Sequence, residues 1–251
     1  MKLLVSLLPG MPMVTSSSEV AVVIDVLRAT TVMTTALATG ALSVITTPSV
    51  DDARRIAKAH PNALLCGERE CVRIDGFDLG NSPADYLPST VKQRTVILTT
   101  TNGTAAIAEC KNAQTVVAAS FLNYQAVLNM LKNKSQVHLV CSGTNGAITL
   151  EDTLLAGLFV SAIQQFNPNV ELVGDEPRIA CQVWRSWFGD ATNWSKSDLV
   201  DCFAQSQGGR NLIAKGFDHD LAHCAVETQL DVLPKQTEAE PATFCSAGLI
   251  E

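Results

Sequence analysis

The run VAVVIDV, Val20 to Val26, decides how this chain folds. Five apolar residues in succession, four of them β-branched, suit an extended strand, and the lack of polar alternation means that both faces are covered. Strands of this kind belong to parallel sheets flanked by helices. The acid that closes the run, Asp25, then stands at the carboxyl end of a buried strand.

Working outward, the same signal recurs. Leu42 to Thr46, Ala63 to Cys66, Thr95 to Thr100, Thr115 to Ala118 and Val137 to Cys141 read as further strands, and the opening MKLLVSLLPGMP as the first. Ser49-Val50-Asp51-Asp52 has the spacing of a capping box, with Asp in place of Glu, ahead of apolar residues at helical intervals from Ala53 to Ala59. Leu150 to Phe166 is the longest amphipathic helix expected. The alternation predicts parallel strands, right-handed crossovers and a three-layer α/β/α fold with a mainly parallel sheet. After about Val173 the strand signal fades, and Ile179 to Val232 reads as mostly helical, punctuated by Gly208-Gly209. The expectation is one α/β/α domain over residues 1–251 with a helical C-terminal portion, divisible at most into subdomains of about 1–170 and 171–251. Pro234 to Pro241 (PKQTEAEP) reads as a polar loop and Ala242 to Cys245 as a last short strand.

With 251 residues and 47% hydrophobic content, the chain can bury a sizeable core. Its formal net charge of -7 and the absence of any basic run exclude a nucleic-acid or anionic-membrane surface, which needs a contiguous basic patch. An anionic ligand must instead meet local positive charge from arginines, backbone N–H groups or a divalent cation. The eight cysteines form no C-x-x-C pair and lie mostly in apolar runs, as reduced thiols of a cytoplasmic protein do. No apolar run approaches the length of a bilayer span.

VILTTTNGTAAIAE and VHLVCSGTNGAITLED echo each other, each running from a buried strand through hydroxyls into Thr-Asn-Gly and a helix. Hydroxyls, a glycine and free helix N–H groups at a strand's carboxyl end make an anion cradle. Thr100, Asn102, Gly103 and Thr104 form one expected cradle, Ser142 and Gly143 a second. Helix capping alone is the competing reading of either segment. Asp25, Glu68, Asp78, Glu151 and Asp152 lie near strand ends, and such carboxylates beside an anion cradle suit Mg2+. Arg28, just after Asp25, is the expected clamp on the phosphoryl group, since a guanidinium grips two oxygens at once. Arg69 and Arg73 are weaker candidates for the substrate's acid groups.

DVLRATT at 25–31, GERECVRIDGFDLGNSP at 67–83, TTNGTAAI at 100–107 and CSGTNGAITLEDTLLAG at 141–157 together resemble the motif set of the 2-phosphosulfolactate phosphatase (ComB) family. GFDHDLAHCAVETQLDVLP at 216–234 resembles its C-terminal block. The resemblance implies an α/β/α homodimer that hydrolyses 2-phosphosulfolactate to sulfolactate and inorganic phosphate with Mg2+, a step toward coenzyme M. On this chain the expected catalytic residues are Asp25, Arg28 and Glu68, with Asn81 and Ser82 among the substrate contacts and Asp25, Glu68, Asp78 and Asp152 as metal ligands. One departure stands out: the family has glycine after its GER triplet, where this chain has Glu70-Cys71.

Hydrolysis of a phosphate monoester is so slow unaided that enzymes accelerate it by up to ~10^21. One preorganised donor supplies only about 3 to 4 kcal/mol, so metal, arginine and cradle must act together. Asp25 is either a nucleophile or a metal ligand. Aspartyl-phosphate phosphatases place a second acid two residues on, and here that residue is Leu27, which favours the metal role. His219 and His223 are spaced for one metal but read as ordinary helix histidines, and Cys141 reads as core because Ala147 stands where a cysteine phosphatase carries arginine. No G-x-G-x-x-G or P-loop follows any strand, which sets aside nucleotide-dependent classes. A non-catalytic module binding a phosphorylated acid, or an aspartyl-phosphate enzyme on another substrate, is the alternative.

Overall fold

The computed structural model describes residues 1–10, 18–191, 194–226 and 230–247. In chain order the strands and helices are β1 (Lys2–Ser6), β2 (Val20–Ile24), α1 (Ala29–Ala38), β3 (Ser43–Thr46), α2 (Val50–Ala59), β4 (Leu64–Arg69), β5 (Val72–Arg73), α3 (Pro88–Val91), β6 (Thr95–Thr99), α4 (Gly103–Glu109), β7 (Thr115–Ala119), α5 (Tyr124–Leu131) and β8 (Gln136–Cys141). There follow α6 (Leu150–Phe166), β9 (Glu171–Leu172), α7 (Glu176–Phe188), α8 (Lys196–Gln205), α9 (Gln207–Ala214), α10 (Asp218–Cys224), β10 (Leu233–Ala239) and β11 (Ala242–Ala247). The α/β/α class, the predominance of parallel pairing and the helical region from α7 to α10 agree with the sequence pattern. All five residues of β2 are buried, as an unbroken apolar run requires. The predicted cap at Ser49 forms, its Oγ accepting from Asp52 N–H at 3.0 Å.

Two expectations fail. The polar segment after Leu233 is a strand: β10 and β11 form an antiparallel hairpin in the middle of the sheet. Most of the β10 side chains are exposed, so the apolar signature of a buried strand is missing from them. The helix α6 spans the predicted residues but is not amphipathic, since it is buried continuously from Glu151 to Ile163. Gly157 permits this, because a Cβ there would lie 2.0 Å from the Ala180 carbonyl oxygen of α7.

The sheet order is β5-β4-β6-β3-β11-β10-β7-β2-β8-β1-β9. β4, β6 and β3 are mutually parallel, and so are β7, β2, β8, β1 and β9. Between them lie three successive antiparallel pairings, β3 with β11, β11 with β10, and β10 with β7. Three reversals turn the two parallel wings in opposite directions. Their carboxyl ends therefore do not share one edge, as a single parallel sheet would require. They meet instead across a cleft: Asn145 N–H, after β8, donates to Asn102 Oδ1, after β6, at 3.1 Å. The two Thr-Asn-Gly segments touch each other there. They differ in form, for Gly103 opens α4 whereas Asn145 and Gly146 take left-handed φ values in a tight turn ahead of α6.

Candidate active site

Asp25 sits where β2 ends, buried on a strand with no exposed residue. Its Oδ1 accepts from Ala29 N–H at 3.0 Å, which ties it to the first turn of α1. Its Oδ2 faces α4: a Cβ on Gly103 would stand 2.7 Å from that oxygen and 2.7 Å from the Ala29 Cβ. Gly103 is glycine so that α4 can abut Asp25. It has a helical backbone with no positive φ, as the first residue of α4.

Arg28 is buried and held from three sides. Nη1 donates to Asp220 Oδ2 at 2.5 Å, Nη2 donates to the Cys71 carbonyl at 3.0 Å, and the guanidinium carbon lies 4.7 Å from the centre of the Phe217 ring. Asp220 is wholly buried and also accepts from Ser82 Oγ at 2.6 Å. Ser82 thus fixes Asp220, and Asp220 fixes Arg28, whose guanidinium borders the cleft.

Glu68 organises two loops. Its Oε1 accepts from Thr101 N–H at 2.9 Å and from Thr101 Oγ1 at 3.0 Å, and its Oε2 accepts from Cys71 N–H at 2.7 Å. Glu70 and Cys71 form the tip of the β4–β5 hairpin with φ of 53° and 67°. Non-glycine residues resist such values. Glu68 and Arg28 grip the Cys71 N–H and carbonyl, and so hold the turn without a glycine.

Between the wings is a cleft, partly open to solvent, bordered by Asp25, Arg28, Glu68, Asn81, Thr100, Asn102, Asn145, Gly208 and Asn211. Asn81 Oδ1 and Thr100 Oγ1 are buried there without a hydrogen-bond partner, and Glu151, which lies against Gly208, has its Oε2 without one. Buried polar atoms are ordinarily satisfied, so the two orphans on the cleft wall mark where a ligand's polar atoms fit.

Burial raises the Asp25 carboxyl to about 6 and Glu151 to about 7, with Asp25 adding repulsion at Glu151. Asp152 is pushed well above the usual range, first by burial and then by the charges of Asp25 and Glu151. A like-charged buried cluster of this kind calls for protons or a cation. Among the described residues no three or more His, Cys, Asp or Glu side chains are arranged to hold a metal ion. The expected four-acid set does not assemble. Asp78 is exposed, with Oδ2 accepting from Leu65 N–H toward the start of β4. Both Glu68 oxygens are engaged as above. Asp152 accepts from Val26 N–H at 2.8 Å through Oδ1, and from Ser142 Oγ and Gly143 N–H at 3.0 Å through Oδ2. Mg2+ needs only one or two carboxylates and takes water and phosphate oxygens for the rest. Asp25, at the cleft, and Glu151, close enough to feel its charge and with Oε2 unpartnered, are the carboxylates left to meet that requirement.

The other expected residues divide in the same way. Thr100, Asn102 and Asn81 border the cleft, whereas the Thr104 hydroxyl donates to the Thr100 carbonyl at 3.0 Å. The second cradle is not free, because Ser142 and Gly143 serve Asp152. Arg69 donates to the Glu68 carbonyl and Thr99 Oγ1, Arg73 donates to the Asp78 carbonyl, and neither borders the cleft. His219 and His223 are exposed helix residues and Cys141 is core. Asp220, Phe217, Gly208, Asn145 and Asn211 were not singled out by sequence. Asp220 stood between the two histidines of the C-terminal block, and its only signal was membership of that block.

A buried arginine and acid cluster between converging strand ends of an α/β/α fold defines an enzyme site for a small oxyanion. The family model for 2-phosphosulpholactate phosphatase matches residues 9–239. A protein of Thermotoga petrophila named "probable 2-phosphosulfolactate phosphatase" is 39% identical over 214 residues, 85% of this chain and 87% of its own. Proteins of the same name from Pseudothermotoga lettingae and Gloeothece citriformis are 38% identical over 224 residues (89% and 92% of the two chains) and 35% identical over 242 residues (95% and 97%). The chain belongs to the 2-phosphosulfolactate phosphatase family, and with it to the phosphoric monoester hydrolases.

Proposed function

We propose that this protein hydrolyses 2-phosphosulfolactate, or a related 2-phospho-2-hydroxycarboxylic acid, to the 2-hydroxy acid and inorganic phosphate, with Mg2+ as cofactor. The observation that carries the reading is the charge balance of the cleft. Asp25, Glu68, Glu151, Asp152 and Asp220 are buried around a single buried guanidinium, that of Arg28. A substrate bearing phosphate and further acid groups meets net repulsion there unless a divalent cation offsets it. Asp25 Oδ2 and Glu151 Oε2 would hold Mg2+, which when bound polarises a phosphoryl oxygen and neutralises developing charge.

The chain's own groups supply orientation. Arg28, fixed by Asp220, the Cys71 carbonyl and Phe217, presents its remaining N–H groups to the phosphoryl oxygens without having to reorganise. Thr100 Oγ1 offers a hydroxyl to the same group. Asp152 braces the backbone just after Asp25, at Val26, and just after Ser142, at Gly143, keeping the acid end rigid. Phosphate release from 2-phosphosulfolactate, assayed with Mg2+ and after exhaustive chelation, tests the reading. Release with Mg2+ and none without is expected, and full activity after chelation overturns the metal role.

Eight free cysteines suit the reducing cytoplasm, where we place the protein. Among the described residues no helix is long and apolar enough to cross a membrane. The homodimer follows from the family resemblance, and sedimentation equilibrium tests it.

A further inference from the structure

The cleft's asparagines carry more information than their presence. Amide orientation is ordinarily ambiguous, but a partner that can only donate removes the ambiguity. Arg210 is such a partner. Its Nη2 donates to Gln207 Oε1 at 2.9 Å, so the other end of that amide, Nε2, is the donor, and it donates to Asn211 Oδ1 at 2.8 Å. The Asn211 oxygen is thereby occupied, and its NH2 group is left for the cleft that Asn211 borders. On the facing wall the backbone N–H of Asn145 occupies Asn102 Oδ1 at 3.1 Å, which leaves the Asn102 NH2 in the same way. Two amides from opposite walls have been turned donor-first, one by a three-residue relay along α9.

We propose that Asn211, turned by Arg210 through Gln207, and Asn102, turned by Asn145, receive the substrate's non-transferred oxyanion, a sulfonate or carboxylate, and so select phospho-acids over plain phosphate monoesters. The proposal rests on the phosphatase reading above. Among the described residues Arg28 is the one guanidinium bordering the cleft, and the phosphoryl group, with the most charge, claims it. Carboxylates and sulfonates carry one charge each and are weaker acceptors, so neutral N–H donors suffice for them. An acid cluster nearby also makes neutral donors easier to maintain than a second guanidinium, which the carboxylates would capture.

Gln207 is exposed, so Gln207→Glu should leave the fold intact, which a melting curve checks. The new carboxylate keeps the contact with Arg210 but cannot donate, so Asn211 turns its NH2 outward and its oxygen to the cleft. With the Mg2+-loaded full-length enzyme, kcat and KM are measured for 2-phosphosulfolactate, 2-phospholactate and phenyl phosphate. The KM for 2-phosphosulfolactate should rise about tenfold, more than kcat falls, and its kcat/KM relative to phenyl phosphate should fall about tenfold, one lost hydrogen bond's worth. Asn211→Asp should lower that ratio further. A similar loss on 2-phospholactate assigns the carboxylate, and a loss confined to 2-phosphosulfolactate assigns the sulfonate. Equal losses on all three substrates, or an unchanged ratio, overturn the proposal. Calorimetric binding of sulfolactate, which needs no turnover, separates this from the phosphatase reading: about tenfold weaker binding by Gln207→Glu supports the relay even in an enzyme inactive on these esters, and equal binding sinks it.

Discussion

The two wings of the sheet bring different chemistry to one cleft. From the ends of β2 and β8 in the larger wing, and the helix that follows β8, come charged groups: Asp25, Arg28, Glu151 and Asp152, all buried. From the end of β6 in the smaller wing come neutral donors, Thr100, Thr101 and Asn102, while the one acid there, Glu68, is engaged by loop N–H and hydroxyl groups. The larger wing rests on a continuous core under α6, α7 and α8, and the smaller one on a core that packs Val44, Leu64, Cys66, Val96 and Leu98 against α1 and α4, with a further cluster of Ile45, Ala53, Phe77 and Ile97 beneath α2. Both wings are anchored by large buried cores, so the difference between them is one of chemistry. The division teaches that buried charge is concentrated on one side of the cleft and neutral hydroxyl and amide donors on the other.

The largest test is Arg28→Lys. Loss of the planar, multiply anchored guanidinium should lower kcat by about 10²- to 10³-fold, measured as phosphate release under saturating substrate. A loss under tenfold would remove charge from its place in the comparison. Next is Glu151→Gln, which should raise the Mg2+ concentration for half-maximal activity by about tenfold or more, because one of the two proposed carboxylate ligands is gone. Unchanged Mg2+ titration would return the metal to other acids.

Gly103→Ala tests the contact between wings. Its methyl group must displace Asp25 Oδ2 and Ala29 Cβ, each 2.7 Å away, so stability should fall by about 1 to 3 kcal/mol in urea unfolding, with activity falling too. A silent substitution would mean that α4 does not press on β2. Thr100→Val sharpens the neutral side: its loss should stay near tenfold in kcat/KM, one uncharged hydrogen bond. A loss matching Arg28→Lys would break the division of labour.

The smallest effect is in pH. Burial raises Asp25 from 3.8 to about 6 and Glu151 from 4.5 to about 7, so within that window the folded protein holds protons that the unfolded chain has released. Stability without Mg2+ should therefore fall as pH rises from about 4 to about 7 and level off above, and Mg2+ should flatten the slope. His138, also on the larger wing, has the opposite sign. Burial lowers its imidazole from 6.5 to about 4, the unfolded chain takes up the proton first, and stability is lost as pH falls through that range. Melting temperatures from pH 4 to 8, with and without Mg2+, separate the two. A Mg2+ effect independent of pH would argue that the cation binds elsewhere.

Strand β2, the cap at Ser49 and the extent of α6 were legible because apolar runs and capping spacings are properties of neighbours in sequence. That Asp25, Arg28, Thr100 and Asn102 would lie around one cleft was legible too, since polar residues just beyond a buried strand mark the end where ligands bind. Nothing local shows that Asp78 faces Leu65 N–H, or that Gly103 is pressed against Asp25.

The sequence by itself determined the layered α/β class and the chemical types available at strand ends, since both follow from periodicity and side-chain character over a few residues. Only the tertiary structure decided which way the two wings point, because the direction depends on a polar C-terminal hairpin inserting between β3 and β7. It also decided which carboxylate oxygens stay free and which way the asparagines turn. Those outcomes depend on donors distant in sequence, as when Asp220 reaches Arg28 across 192 residues, and a hydrogen bond between distant residues leaves no periodic trace in either of them.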